Sequence, residues 1–292
     1  MAMFEQLGLI GCGLMGGSFA LACKRAGLVK RVVGYSKSPS TTERARQMGV
    51  IDVEAPSALL AVSGADIVLL AVPVSATEAT FKAVRHLITS NMLVMDVGST
   101  KRDVVEAARR VLRDNVGCFV PAHPIAGKEV SGVEHADPEL YMGRQVILTP
   151  IEKTQVGHLR RAEELWTAIG CHVQQMSPDA HDAAFAAVSH LPHLLAFALV
   201  HGIVNQSTGK EFLSLAGPGF RDATRIAASD PKMWRDVLLA NRHELVEQAK
   251  IFQRSLHNML QLAEQGDGEK LEEMITLASN MRSHWRMGQK VK

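Results

Sequence analysis

The stretch Leu7-Gly8-Leu9-Ile10-Gly11-Cys12-Gly13-Leu14-Met15-Gly16 sets three glycines in GxGxxG spacing directly after an apolar run. In a strand–turn–helix unit, such glycines let the backbone turn tightly and approach a pyrophosphate at the N-terminus of the following helix. The apolar run supplies the strand that this motif requires. The sequence therefore predicts a dinucleotide site, with cofactor contacts from Gly11, Gly13, Leu14, Met15 and Gly16.

A second predicted strand, Arg31-Val32-Val33-Gly34-Tyr35, ends in Ser36-Lys37-Ser38. An acidic residue at this point binds the 2′-hydroxyl of the adenosine ribose, and it would repel a 2′-phosphate. Two hydroxyls and an ammonium group favour that phosphate instead. We therefore predict that NADP is the preferred cofactor, that NAD is possible, and that Ser36, Lys37 and Ser38 bind it. Val72 and Pro73, where the predicted strand Ala65–Pro73 ends, are further cofactor candidates.

Composition excludes several classes of protein. The 292 residues include 32 Lys and Arg against 30 Asp and Glu, a net charge of +2 without a basic tract, so no nucleic-acid partner is predicted. The four cysteines lack CxxC spacing, so neither a disulfide framework nor a metal site is expected. The apolar stretch Leu194–Val204 is too short to span a bilayer, so no membrane partner is predicted. The first residues lead directly into a strand, which favours a cytoplasmic protein.

The chain changes character near Met176. Strands and helices alternate before it, which predicts an α/β domain of Rossmann type with a parallel sheet over residues 1–176. Helical periodicity dominates residues 177–292, an all-α domain. There Ser177-Pro178-Asp179 predicts a helix start, and the helix runs through His181 to about Asn205 with a kink at Pro192. A long helix with an apolar stripe is predicted from Asp230-Pro231.

Three polar clusters lie where ligands bind in such proteins, since two follow predicted strands and the third lies at the kink. They are Asp96-Val97-Gly98-Ser99-Thr100-Lys101, His123-Pro124-Ile125-Ala126-Gly127 and Ser189-His190-Leu191-Pro192-His193. Each also has a purely structural interpretation. Ser99 is a possible helix cap, His123 a possible turn residue, and His190 and His193 possible buried histidines with hydrogen-bond partners.

Together with Gly219-Phe220-Arg221-Asp222-Ala223-Thr224-Arg225, these motifs follow one another in the order found in a known family. The chain resembles the prephenate and arogenate dehydrogenases of tyrosine biosynthesis nearly from end to end. The resemblance implies NAD(P)-dependent oxidation of a cyclohexadienyl carbinol with loss of carbon dioxide. It also implies a homodimer that forms through the helical domain.

The resemblance also implies roles for individual residues. His123 takes the proton of the ring hydroxyl, and Ser99 orients His123 and bonds the same hydroxyl. Arg225 anchors a substrate carboxylate, while His190 and His193 line the substrate pocket. Thr41 joins Ser36 and Lys37 at the 2′-phosphate.

Two further residues keep two interpretations each. Asp222 either holds Arg225 in position, which we prefer, or forms a surface ion pair. Trp234 lies either close to the active site of a partner subunit or in the core of its own chain.

Three alternatives remain open at this stage. The enzyme could be specific for arogenate, giving tyrosine directly. It could be a β-hydroxyacid or 6-phosphogluconate-type dehydrogenase, although that class uses a lysine in a glycine-patterned helix, whereas Lys210 lies in a polar loop and Lys232 follows a proline. It could also be a nucleotide-binding sensor, which would leave His123 and Arg225 without a function.

Overall fold

A parallel sheet carries the glycine-rich turn in the computed structural model, which describes residues 2–287. The strands are β1 (Phe4–Ile10), β2 (Val29–Tyr35), β3 (Val53–Glu54), β4 (Ile67–Leu70), β5 (Leu93–Asp96), β6 (Phe119–Val120), β7 (Ala122–Pro124), β8 (Gln145–Leu148) and β9 (His172–Gln175). The helices are α1 (Leu14–Arg25), α2 (Pro39–Gln47), α3 (Ala58–Val62), α4 (Thr77–Val84), α5 (Arg102–Leu112), α6 (Val156–Ala168), α7 (Pro178–Phe185), α8 (Leu191–Val204), α9 (Gly209–Ser214), α10 (Pro218–Thr224), α11 (Pro231–Ala240), α12 (Arg242–Gln265) and α13 (Gly268–His284).

The first six strands pair in parallel in the order β3-β2-β1-β4-β5-β6. Strands β4 and β5 are buried along their whole length, as apolar runs covered on both faces should be. Strand order reverses between β1 and β4, and the carboxyl ends of strands at such a point form the crevice that binds ligands. The predicted Rossmann-type domain followed by a helical region is confirmed.

A second sheet places His123. Strand β7 pairs antiparallel with β8, which pairs in parallel with β9. The stretches over residues 145–149 and 171–175 predict β8 and β9 nearly to the residue. The sequence gives no signal for β7, since Pro121 and Pro124 interrupt the pattern. Within β7, His123 lies opposite Ile147.

The helix predicted to start at Ser177-Pro178-Asp179 begins at Pro178, and the Ser177 hydroxyl caps it by accepting the Ala180 N–H at 3.1 Å. Before Pro192, residues Ala186–His190 form a π-helical turn. The irregularity predicted at the proline is therefore a widened turn, which takes up the hydrogen-bond pattern that proline cannot complete.

The prediction of one continuous long helix from Asp230-Pro231 is wrong, because the structure has two helices there. Helix α11 ends at Ala240, and α12 begins at Arg242. The intervening Asn241 is buried, and its side chain bonds to other parts of the chain, as described below.

The chain divides by packing into two units, residues 1–241 and 242–292. The first contains both sheets and helices α1–α11. In the second, α12 and α13 are joined by Gly266 and Asp267, and the Asp267 carboxylate accepts the Lys270 N–H at 3.2 Å. The change from strands to helices still falls between β9 and α7, where the sequence pattern changes.

One helical run within residues 2–287, Pro178–Val204, has the length and apolar composition of a membrane-crossing helix, and 22% of its most apolar window is buried in this chain. This run carries three fully buried polar side chains, His181, Asp182 and His190. Their hydrogen bonds to other elements of the first unit, given below, are those of a helix that packs within a protein.

Candidate active site

The glycine-rich turn has the geometry that a dinucleotide requires. Gly11 has φ +97°, and a side chain there would collide with the Ala71 carbonyl; one at Gly16 would collide with the carbonyl of Gly11. At Gly13, by contrast, an added Cβ would meet no atom within 4 Å. Gly13 also caps α1, whose first turn carries no acidic residue and no side-chain cap. Open space before uncapped N–H groups fits the pyrophosphate of NAD or NADP.

Ser36 lies beside this turn. Its hydroxyl accepts the Cys12 N–H at 2.8 Å, and its own N–H donates to Thr42 Oγ1 at 3.0 Å. Lys37 and Ser38 follow on the exposed surface before α2, and Thr41 lies in the first turn of α2. The structure thus gathers the predicted 2′-phosphate residues at one end of β2. Thr42, which holds Ser36, was missed.

The other predicted cofactor residues lie around the same edge. Leu14 is buried at the start of α1, and the Met15 carbonyl accepts the Tyr141 hydroxyl at 2.7 Å. Val72 and Pro73 follow β4, whose carboxyl end adjoins that of β1. These two residues therefore lie at the point where strand order reverses.

A buried ion pair fixes the backbone next to His123. Lys101 Nζ lies 2.5 Å from Asp96 Oδ2, and both side chains are almost fully buried. Lys101 also donates to the Ala122 carbonyl at 2.8 Å, while Asp96 Oδ1 accepts the Ala122 N–H at 3.1 Å. Both backbone groups of Ala122 are thus held by the pair, and β7 is tied to the end of β5.

The His123 ring is buried among other rings. Its Nδ1 lies 2.8 Å from Nε2 of His181, and Phe185 packs against both imidazoles with centroid distances of 4.7 and 4.4 Å. Burial, then the neighbouring His181, Lys101 and His190, lower the pKa of His123 well below its ordinary value. The ring is therefore neutral at pH 7 and can accept a proton.

His181 in turn lies 2.7 Å, Nδ1 to Oδ1, from Asp182, its neighbour in the chain. His181, and not Ser99, is therefore the described hydrogen-bond partner of the His123 ring, and our expectation that Ser99 orients this ring is wrong. Ser99 is half-buried in the turn between β5 and α5.

His190 is completely buried. The Asn241 amide donates to the Asp182 carbonyl at 2.7 Å and to His190 Nδ1 at 3.1 Å. His190 Nε2 has no well-formed hydrogen bond among the described residues, and the ring faces the backbone of Ser99. Burial lowers the pKa of His190 to about 4. We call His123, His181 and His190 the histidine cluster.

His193 has a different environment, one turn further along α8. Its Nδ1 donates to the Ser189 carbonyl at 2.9 Å, and its ring stacks on Trp234 with centroids 3.5 Å apart. Trp234 is buried within its own chain, as the core interpretation predicted. Burial lowers the pKa of the half-buried His193, so this ring too is neutral.

Arg225 is exposed and directly follows α10. It forms an ion pair with Glu129, which belongs to the loop that follows His123. Asp222 instead accepts from Arg221 Nε at 3.1 Å. The expected Asp222–Arg225 pair is therefore wrong, because the chain offers Arg225 a carboxylate from another loop. We call Arg225 and Glu129 the arginine end.

Besides Thr42, sequence reasoning missed four residues: His181, Asp182, Asn241 and Glu129. One signal for the first two was available. His181 and Asp182 are an adjacent polar pair in a helix otherwise rich in alanine and apolar residues, which is unusual unless both have buried partners. Asn241 and Glu129 carry no comparable local signal.

Within residues 2–287, no group of three or more His, Cys, Asp and Glu side chains is arranged to hold a metal ion. The titratable groups of the site bond to one another and to backbone instead.

Two family models match the chain. One, described as "Prephenate dehydrogenase, nucleotide-binding domain", covers residues 19–175. The other, "Prephenate dehydrogenase, dimerization domain", covers residues 177–277. The two matches adjoin at residue 176.

Relatives similar in sequence over nearly the whole chain carry the same family name or a closely related one. A prephenate dehydrogenase of Bacillus subtilis is 36% identical over 99% of this chain and 78% of the relative. A cyclohexadienyl dehydrogenase of Zymomonas mobilis is 33% identical over 94% of this chain and 93% of the relative.

Among solved structures, the prephenate dehydrogenase of A. aeolicus in complex with hydroxyphenyl propionate and NAD+ superimposes with a TM-score of 0.90. Its sequence is 36% identical, and the match covers 97% of this chain and 98% of the other. Family models described as prephenate dehydrogenase match both halves of the sequence, and relatives at 33% and 36% identity span nearly all of it, so this chain is a dehydrogenase that belongs to the prephenate dehydrogenase family.

Proposed function

We propose that this enzyme oxidises prephenate with NADP to 4-hydroxyphenylpyruvate and carbon dioxide, and that it also accepts arogenate. One observation carries the proposal. His123 is held through Nδ1 by His181, which leaves Nε2 as the ring nitrogen that can bind a substrate hydroxyl. The nucleotide-binding region and the complex of the A. aeolicus relative with NAD+ support a pyridine nucleotide as cofactor.

The chemistry at His123 is a proton transfer. When bound at the glycine-rich turn, the nicotinamide cofactor supplies the acceptor for the hydride that leaves the carbinol carbon of the ring. His123 Nε2 takes the hydroxyl proton as the carbonyl forms. Because burial keeps the imidazole neutral, the acceptor lone pair is available throughout the physiological pH range.

Loss of the ring carboxylate needs no strong base, since the resulting dienone becomes aromatic when carbon dioxide leaves. Orientation of the substrate therefore contributes much of the rate. The Arg225 guanidinium suits this task, since it can bind a carboxylate through two hydrogen bonds. In this role Arg225 exchanges Glu129 for a substrate carboxylate. Because the ion pair with Glu129 is exposed, breaking it costs little free energy.

The remaining predicted residues line the same site in this proposal. Ser99 bonds the ring hydroxyl together with His123. His190 presents Nε2 beside the Ser99 turn, His193 presents the ring nitrogen that Ser189 does not occupy, and Trp234 supports His193 by stacking. Asp222 has no substrate role here.

The test is an assay of the purified enzyme with each of the two substrates and each of the two cofactors. We expect reduced nicotinamide to form with prephenate, faster with NADP than with NAD, and more slowly with arogenate. Binding of NADP without turnover of either substrate would overturn the proposal. Turnover of arogenate alone would replace it with the arogenate-specific alternative.

The preference for NADP has its own test. Ser36→Asp sets a carboxylate at the ribose, where repulsion of a 2′-phosphate should shift the ratio of kcat/KM for NADP over NAD about tenfold or more toward NAD. Ser63→Asp is the matched control, since it adds the same charge on the exposed surface before β4, at the opposite edge of the sheet. An unchanged ratio in Ser36→Asp would show that Ser36 does not lie at the ribose.

The hydroxyacid-dehydrogenase alternative receives no support from the geometry. Lys210, at the start of α9, and Lys232, in α11, are both exposed. Lys101 is buried near His123, but it is paired with Asp96. Oxidation of a β-hydroxyacid by the purified enzyme would reverse this assignment.

The proposal includes a cytoplasmic homodimer formed through the helical region. A dimerization domain matches residues 177–277, and many apolar side chains there are exposed in the single chain, among them Leu199, Val204, Phe212 and Leu215. Burial of such a surface by a second copy would be favourable. Light scattering should give twice the 31.7 kDa mass of one chain, and a monomeric mass at micromolar concentration would contradict a dimer.

A further inference from the structure

Two buried side chains, His181 and Asp182, form a row with His123 on the side of its Nδ1. Asp182 Oδ1 lies 2.7 Å from His181 Nδ1, and His181 Nε2 lies 2.8 Å from His123 Nδ1. The side chains of His181 and Asp182 are 0% and 2% exposed. Water therefore does not compete for these hydrogen bonds, which raises their strength.

Asp182 is anchored as a carboxylate. Its Oδ1 accepts the Lys101 N–H and its Oδ2 accepts the Arg102 N–H, both at 2.9 Å, at the start of α5. Burial acts to raise the pKa of Asp182, but the hydrogen bonds from His181, Arg102 and Lys101 outweigh it, and the pKa lies below its ordinary value. The first group of the row is therefore a fixed negative charge.

The proton positions follow from that charge. A carboxylate only accepts hydrogen bonds, so His181 donates to it from Nδ1. A neutral imidazole that carries its proton on Nδ1 is an acceptor at Nε2, and burial favours the neutral form by lowering the pKa of His181. His123 therefore donates from Nδ1 to His181, and the lone pair of His123 lies on Nε2.

From this row we infer that His181 and Asp182 are positioning residues for the reaction: they hold His123 in the tautomer whose Nε2 can accept a proton and stabilise the imidazolium that forms. The inference rests on the proposed function. In the reaction, the substrate hydroxyl proton moves to His123 Nε2, while the Nδ1 proton stays in its hydrogen bond to His181. No proton passes along the row, and Asp182 stays ionised.

The surroundings of His123 make such support necessary. The groups that face it are the Lys101 ammonium with its Asp96 partner, His190 on the π-helical turn, and His181 with Asp182. Burial and the lysine charge both oppose a cation on His123. The negative charge of the Asp182 carboxylate, which reaches His123 through His181, offsets these two effects.

The test compares two replacements of His181. His181→Phe removes the acceptor while keeping a ring to pack on Phe185, and we expect kcat to fall about 100-fold. In His181→Gln the side-chain carbonyl can still accept the His123 N–H, and we expect most of this loss to be recovered. The KM for substrate and the affinity for NADP should change little in both. His172→Phe, at an exposed histidine of β9, is the control for the substitution itself.

A second measurement reads the tautomer directly. Nitrogen-15 NMR of histidine-labelled enzyme should show His123 protonated on Nδ1 in the wild type, and on Nε2 or both nitrogens in His181→Phe. An Nε2-protonated His123 in the wild type would overturn the inference, as would an unchanged kcat in a folded His181→Phe. The tautomer can be read even if neither cyclohexadienyl substrate is turned over, so failure of the inference is distinguishable from failure of the proposed function.

Discussion

The histidine cluster and the arginine end, two parts of one candidate site, are built in opposite ways. The cluster is buried, and four segments of the chain hold its members: the end of β5, β7, the α7–α8 run and Asn241. At the arginine end, the Arg225 and Glu129 side chains are 61% and 47% exposed. In the proposed function, the base His123 is thus fixed before substrate arrives, while the anchoring side chain of Arg225 lies in water.

This difference implies that the two regions affect different kinetic parameters. Buried hydrogen bonds keep a geometry that need not reorganise during the reaction, which favours a fast chemical step. An exposed ion pair contributes only about 0–1 kcal/mol, so a substrate carboxylate can replace Glu129 at small cost. We therefore expect changes in the histidine cluster to lower kcat and changes at the arginine end to raise KM.

The largest effect should come from the base. His123→Asn removes the proton acceptor, and kcat for prephenate should fall about 1,000-fold, since general bases contribute about 10²–10⁴-fold. The affinity for NADP, measured by fluorescence titration, should be nearly unchanged, because the glycine-rich turn is formed by other elements. Parallel loss of turnover and cofactor binding would indicate misfolding instead.

The buried ion pair behind His123 should affect stability next. Lys101→Met leaves the Asp96 carboxylate buried without its cation, and the free energy of unfolding should fall by about 3 kcal/mol, as measured by urea denaturation. The control is Lys30→Met, which breaks an exposed pair with Glu5. If both variants are equally stable, the Asp96–Lys101 pair does not hold β7 in place.

At the arginine end, Arg225→Ala should raise the KM for prephenate about 30- to 100-fold, because a charged hydrogen-bonded pair contributes about 1.5–3 kcal/mol. The value of kcat should change much less. Arg221→Ala is the matched control, since that side chain is also exposed and paired with a carboxylate. Equal effects in the two variants would remove Arg225 as the specific anchor.

The smallest effect should come from Asp222. Its described partner is the exposed Arg221, and such a pair contributes at most about 1 kcal/mol, so Asp222→Ala should leave KM for prephenate within about twofold. A rise as large as that of Arg225→Ala would restore the hypothesis that Asp222 positions Arg225.

The predicted nucleotide-binding residues lie close together in the structure because they are local in sequence. The strand, the glycines and the polar residues after β2 occupy positions 7–42, and each has a conformational or chemical reason that can be stated from sequence. His123 and Arg225 were found through their motifs. The motifs carried no information about hydrogen-bond partners, and both predicted pairings, Ser99 with His123 and Asp222 with Arg225, were wrong.

The missed partners come from far along the chain. His181 is 58 residues from His123, and Glu129 is 96 residues from Arg225. Whether such residues meet depends on the π-helical turn, the break at Asn241 and the second sheet, which arise from tertiary packing. Pattern and propensity report local preference, and neither specifies such contacts.

The division between reaction and anchoring is tested most directly by measuring kcat and KM for prephenate, at saturating NADP, in His123→Asn and Arg225→Ala side by side. Our account predicts that His123→Asn loses kcat with little change in KM and that Arg225→Ala shows a raised KM with kcat largely kept. If both variants lose the same parameter, or if the pattern is reversed, the histidine cluster and the arginine end do not divide the work in this way.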